Sequence, residues 1–212
     1  MGRTDDEDDD EDFDDELAEP EPIWIGRTLE LTYDGAFWSG DLRLRSLDKL
    51  VKGRSKDLLL EIESDDGTLS KTVRRGLAWL LANQAAVGKV LVAGLVAGYP
   101  AIRANALKIE IPDAKKLPAE AAFTAKTLAK FVDAASVTVH ETAYGPKPYV
   151  GVQFRAVWER EHGLGVLLHG TRIVAIGDAD VALDTYAPAT DRRKQRAKRK
   201  PAKRKAKQPK VR

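Results

Sequence analysis

From Val150 to Trp158 the large apolar side chains fall on even positions, at Val150, Val152, Phe154 and Trp158, while Gln153, Arg155 and Glu159 fall on odd ones. A period of two is the mark of a strand with one buried face. Further on, His169, Gly170, Thr171 and Arg172 separate two runs of Leu, Val and Ile, and a Gly at the first central position suits a type II′ hairpin turn. Counting outward from Gly170 and Thr171 pairs Leu168 with Ile173, Leu167 with Val174 and Val166 with Ala175. Both faces of this hairpin are then apolar, and both need a cover. Tyr149 to Gly177 is expected to form three consecutive antiparallel strands.

Ile23 to Tyr33 and Ala36 to Leu47 are expected as two further strands joined at Asp34-Gly35, a dipeptide that tolerates the positive φ of a tight turn. Leu29, Leu31 and Tyr33 alternate with Glu30 and Thr32, and Leu42 and Leu44 with Arg43 and Arg45. Residues 51–57 read as a loop, Leu58 to Glu63 as a third strand, and Thr68 or Ser70 as a helix cap. Val73, Leu77, Leu80, Gln84, Val87, Leu91 and Leu95 then recur at helical spacing. A second set, Trp79, Val90, Val92 and Val96, makes this helix apolar over much of its circumference, which places it in the interior. Asn83 marks an expected bend or break, and Pro100 is expected to end the helix shortly after Tyr99.

Residues 101–118 form a connection, with a short strand at 107–111. Residues 119–132 are expected to be helical, with Phe123, Leu128 and Phe131 reaching the core, and 136–141 to be strand. Strands, then helices, then strands give an α+β fold, an antiparallel sheet built from an N-terminal hairpin and a C-terminal meander and packed against central helices.

Charge changes this picture at the two ends. Thirteen of the first 21 residues are Asp or Glu, and thirteen of the last 22 are Lys or Arg, so a net charge of +2 hides two opposed segments. Residues 22–190 carry 21 basic and 19 acidic side chains and read as a single domain. Residues 1–21 and 191–212 hold too little apolar surface to offset the entropy of ordering, and both are expected to be disordered.

Cysteine is absent, which excludes disulfides, thiolate nucleophiles and Cys-ligated metals. No basic and then apolar leader opens the chain, so the expected location is cytoplasmic. The apolar stretch from Leu77 to Ile102 has Lys89 near its middle, a costly residue at a bilayer centre, and is expected to be a buried soluble helix with no membrane partner.

Candidate chemistry is sparse. Glu159, Glu161 and His162 lie within one turn, where carboxylates and an imidazole could serve a metal or acid–base chemistry; a solvated polar loop is the competing reading. Gly163 and Gly165 beside them suggest a bulge or positive φ. His169 beside Arg172 reads as structural. No nucleophile elbow, phosphate-binding loop, zinc-protease motif or dinucleotide fingerprint occurs, and no cofactor is implied. The four tryptophans sit in apolar periodic segments and belong to the core; among them Trp38, next to the first hairpin tip, has a route to a protein partner.

The basic end carries Arg192, Arg193, Lys194, Lys198, Arg199, Lys200, Lys203, Arg204 and Lys205 without aromatic residues. Such an arm binds nucleic acid non-specifically, with a Kd of about 10⁻⁴ to 10⁻⁶ M that weakens with salt, or serves as a solubility tail. The acidic end could occupy it in the same molecule.

The run from Tyr149 to Asp180 resembles the C-terminal signature of an uncharacterised bacterial family, domain of unknown function 6985. The residues that carry the likeness are Trp158, Glu159, Glu161 to Gly165, His169, Gly170, Gly177, Ala179 and Asp180. The resemblance implies a fold and a bacterial origin, and no activity. The expectation is a non-enzymatic binding protein with a protein partner, immunity-like proteins being one such kind. A nucleic-acid-associated protein and a metal-dependent hydrolase using Glu159, Glu161 and His162 are the alternatives.

Overall fold

The structure is a computed structural model that describes residues 21–52, 56–108 and 116–205, with side chains as far as Lys198. Eight strands form one sheet in sequence order: β1 (Ile23–Ile25), β2 (Leu29–Tyr33), β3 (Phe37–Leu42), β4 (Leu58–Glu63), β5 (Val132–Val139), β6 (Tyr149–Ala156), β7 (Glu159–His169) and β8 (Arg172–Gly177). Neighbours are antiparallel except β4 and β5, which pair in parallel through Leu59↔Ser136 and Leu60↔Val137. Parallel strands need a long crossover. Here it contains the helix α1 (Lys71–Lys108), so the two expected sheet portions merge into one mostly antiparallel sheet. Two further helices follow β8: α2 (Asp180–Leu183) and α3 (Ala187–Lys205). The fold is α+β.

The three consecutive antiparallel strands expected over Tyr149 to Gly177 are present, with β6 ending at Ala156 before Trp158, and the hairpin register departs from the count by one residue. Leu168 pairs with Ile173 as expected, but Leu167 pairs with Ala175 and Val166 with Ile176, because a bulge falls between Leu167 and Leu168. One extra residue on β8 shifts every later pair. Gly170 sits at φ 60°, as its turn position requires.

Both faces of this part of the sheet are covered. On one, Val150, Val152, Phe154, Leu164, Val166 and Leu168 join a continuous core with Leu77, Leu80, Val87, Leu91 and Leu95 of α1. On the other, Tyr149, Leu167 and Ala182 are buried outside that core. Gly151 and Gly165 let α2 lie directly on the strands: a Cβ on Gly151 would stand 1.9 Å from the Ala182 carbonyl oxygen, and one on Gly165 2.4 Å from that of Asp178.

α1 starts where the cap residue puts it, since Ser70 Oγ accepts the Val73 amide at 3.2 Å. It neither breaks at Asn83 nor ends at Pro100. Asn83 Nδ2 donates to the Trp79 carbonyl at 2.8 Å, adding a bond to the helix rather than diverting it. Pro100 lies on the exposed side, where water can serve the carbonyl it leaves unpaired. The helix beyond it is held by Tyr99, whose hydroxyl donates to the Pro118 carbonyl at 2.6 Å and whose ring stacks on Phe123 at 3.8 Å. Burial pushes the Tyr99 phenol up to about 12.

α1 has the length and apolar composition of a membrane span, yet only 28% of its most apolar window is buried, less than an interior helix would show. Trp79, Val90, Val92 and Val96 are half-buried, and the outer side presents Ala78, Ala82, Ala85, Ala86, Ala93 and Ala97 with Lys89. Alanine favours the helix and loses little by staying wet.

Further departures have local causes. Residues 119–132 form two single 3-10 turns, Glu120–Ala122 and Leu128–Lys130, instead of a helix, and β5 begins at Val132. Phe123 and Leu128 are buried and Phe131 packs at the core edge, as expected. Leu107 is helical rather than extended; most of the expected strand at 107–111 lies outside the described residues, as does the acidic segment 1–21 apart from Glu21.

Candidate functional site

Trp158 follows β6 in the turn before β7, 2% exposed, and meets Tyr99 and Phe123 edge-on at 5.7 and 5.9 Å. Beside Trp158 a cleft of about 560 Å³ opens between the end of α1 and β7, with Ile102, Asn105, Glu159, His162 and Asp178 on its walls. Glu159 Oε1 accepts from the His162 amide at 3.3 Å and lies 3.4 Å from His162 Nδ1. Gly163 at φ 63° turns the strand beside them. Glu161 is exposed and does not line the cleft, so the structure brings together two of the three expected residues. Among the described residues no three His, Asp or Glu side chains are grouped to hold a metal.

Trp38 is fully buried, with its Nε1 donating to the Gly67 carbonyl at 3.2 Å and its ring 5.3 Å from that of Tyr33. The loop leading into α1 covers the Trp38 indole while the hairpin tip itself, Asp34 to Phe37, stays exposed, so Trp38 has no surface to offer a partner. Trp24 is the exposed tryptophan, at 56%, on the edge strand β1. Its neighbour Ile25 takes the inward position, and alternation leaves Trp24 outside.

The basic end differs most from expectation. The segment expected to be disordered from 191 is helical as far as Lys205, and α3 runs across the expected domain boundary at 190. Asp184 Oδ1 accepts the Tyr186 and Ala187 amides at 2.8 and 3.0 Å, which starts the helix. Asp191 then anchors it. Its Oδ2 accepts the Tyr149 hydroxyl at 2.9 Å and Arg172 Nη2 at 2.5 Å, and its Oδ1 accepts Gln195 Nε2 at 3.3 Å. Burial opposes the charge on Asp191, but the bonds from Arg172, Tyr149 and Gln195 outweigh it and hold its pKa below the usual range. Burial and the bond to Asp191 push the Tyr149 phenol well up. The Arg192 guanidinium lies 4.3 Å over the Tyr144 ring. His169 stacks on Tyr149 at 4.3 Å and 6°.

Beyond this anchor Arg192, Arg193, Lys194, Arg196 and Lys198 are exposed. α3 carries ten Lys or Arg and one Asp in 19 residues, the Asp being the anchor. Of the expected arm, Arg199, Lys200, Lys203, Arg204 and Lys205 continue the helix. Sequence reasoning missed Tyr149 and Asp191 as partners; the one signal was Asp191 itself, the single acid in a basic run. A separate cleft of about 850 Å³ near the start of α1 is lined by Glu61, Glu63, Asp65, Asp66 and Glu141 with no Lys or Arg.

These features define an α+β domain with a long helix across a single sheet and a basic helix fixed to its last strands. The family model described as domain of unknown function (DUF6985) matches residues 28–183, and the chain belongs to that family. The match ends before α3. No curated protein and no solved structure matches the chain.

Proposed function

We propose that this is a non-enzymatic, cytoplasmic binding protein that docks on nucleic acid through α3. The observation that supports this is the anchoring of α3: the helix's only carboxylate is turned into the domain, and its exposed cations share none within the helix. At 1.5 Å per residue the helix is about 28 Å long, and its charge meets a phosphate backbone by releasing counterions. The acidic cleft near the start of α1 would repel a polyanion and confine it to α3. In this reading α1 covers the sheet and does not enter a membrane.

A gel-shift titration against salt tests it. Binding should fall steeply with salt. Replacing Arg193, Lys194 and Lys198 by Ala should reduce the log–log slope by about 3, near 0.9 for each phosphate that is no longer neutralised. No binding at low salt, or an unchanged slope, would exclude α3 docking.

A protein partner is the second reading, favoured by Trp24, since an exposed tryptophan on an edge strand offers both apolar area and free backbone groups. A partner at β1 should quench Trp24 fluorescence and lose affinity on Trp24→Ala.

A further inference from the structure

We infer that the cleft at the root of α3, about 680 Å³ and bounded by Tyr144, His169, Arg172, Arg192, Gln195 and Arg196, is a seat for a phosphate group. This goes beyond the docking role of α3, because the cleft exists whether or not the helix binds a strand.

Charge is the first argument. Three arginines line the cleft, and Asp191 is the one carboxylate among its lining residues. Both oxygens of Asp191 are engaged, and its side chain is 6% exposed, so it balances Arg172 and presents little negative surface to a ligand. Arg192 and Arg196 have no carboxylate partner among the described residues, and they stand one helical turn apart. Like charges at this spacing destabilise a helix. An anion between them removes the repulsion, and two positive charges match a phosphate dianion.

Geometry is the second. The Tyr144 ring holds the Arg192 guanidinium in place without neutralising it. Arg172 is fixed by Asp191, with a guanidinium nitrogen 3.4 Å from His169 Nδ1. Because a guanidinium only donates, Nδ1 is the acceptor and the neutral ring carries its proton on Nε2. That Nε2 is buried beside the Lys147 backbone, which favours its proton without closing to a short hydrogen bond. Guanidiniums held in fixed orientations suit the several oxygens of phosphate better than flexible ammonium groups do. Burial and the Arg172 charge keep the His169 pKa below its ordinary value. A phosphate seated beside Arg172 reverses part of that effect, which makes His169 a reporter of occupancy.

The test is an NMR titration of the His169 imidazole in the full chain with sodium phosphate at pH 7, run against sodium chloride at matched ionic strength. Phosphate should give a saturable His169 shift with a Kd of about 1 mM, and should raise the His169 pKa, while chloride does neither. Arg196→Gln, an exposed change with no packing role, should weaken the response by about tenfold or more, the worth of one charge-assisted hydrogen bond. No saturable shift in the natural chain, or an equal response in Arg196→Gln, would overturn the seat. Competition by a 5′-phosphorylated oligothymidylate but not by its 5′-hydroxyl twin assigns the seat to a terminal phosphate. Competition by neither assigns it to free phosphate, and the seat stands in both cases. The Arg193, Lys194 and Lys198 replacements leave the cleft intact, so failure of nucleic-acid docking and failure of the seat give different results.

Discussion

The Tyr149 hydroxyl donates to Asp191 Oδ2 at 2.9 Å, across 42 positions of sequence, and Arg172 reaches the same oxygen. One carboxylate therefore ties β6, β8 and α3 together. Asp191→Ala should destabilise the protein by about 1–3 kcal/mol. The cost stays under that of a wholly buried pair because the Arg172 side chain is 42% exposed and can be hydrated. Tyr149→Phe removes one bond and should cost about 1 kcal/mol. Urea unfolding gives the magnitudes, and hydrogen exchange in α3 should rise selectively in Asp191→Ala; unaltered exchange there would mean that the carboxylate does not anchor the helix.

Two glycines should respond differently to Ala. At Gly94 a Cβ would lie 1.7 Å from Ile173 Cδ1, the movable end of a half-buried side chain, and the swap also gains about 1 kcal/mol of helix propensity. At Gly151 it would meet the Ala182 backbone, which cannot rotate away. Gly151→Ala should therefore lower the unfolding free energy by about 1–3 kcal/mol or more, and Gly94→Ala by clearly less. Thermal unfolding of the two variants side by side checks the order.

Trp158→Ala should cost about 3–5 kcal/mol, since the indole is buried among Tyr99 and Phe123. Trp24→Ala, on the exposed edge, should stay within about 0.5 kcal/mol. Equal losses in denaturant midpoints would contradict the burial of one and the exposure of the other.

Acid should weaken the fold from near neutrality. His140 is 6% exposed, with Nε2 2.9 Å from the Ala182 carbonyl, and burial depresses its pKa despite that bond and the charge of Asp184. His169 is depressed as well, by burial and then by Arg172. Well above about pH 6.5 both imidazoles are neutral, folded or unfolded, and they leave stability unaffected. As pH falls through that value the unfolded chain takes up protons that the native state refuses, so stability drops until the native groups also titrate. Urea midpoints between pH 7.5 and 5.5 should fall, and His140→Gln should flatten the decline. A midpoint independent of pH in this window would argue against neutral buried imidazoles.

The acidic segment 1–21 is expected to compete with nucleic acid for α3. Deleting residues 1–21 should tighten oligonucleotide binding at low salt and change little at high salt, where screening removes the competition. Equal affinity at low salt would show that the two ends act independently.

The amino-acid order alone determined the elements whose signals are short-ranged. Alternation from Val150 to Phe154 requires a strand, Asp34-Gly35 and Gly170 require turns, and the spacing from Val73 to Leu95 requires one face of a helix. Apolar residues on both sides of the last hairpin likewise required two covers. Tertiary structure alone decided where those elements stop and what they meet. α1 continues through Pro100 because Tyr99 is fixed by Phe123 and Pro118. The β7–β8 register slips at a bulge that no pairing count contains. Trp38 is covered by a loop 29 residues away, at Gly67. α3 is ordered by Tyr149 and Arg172, which are remote from it in the chain. Glu159 and His162 share a cleft wall while Glu161 faces away. Periodicity reports which side of an element is apolar; it does not carry the identity of the group that will stand opposite, and burial, anchoring and cleft formation all depend on that group.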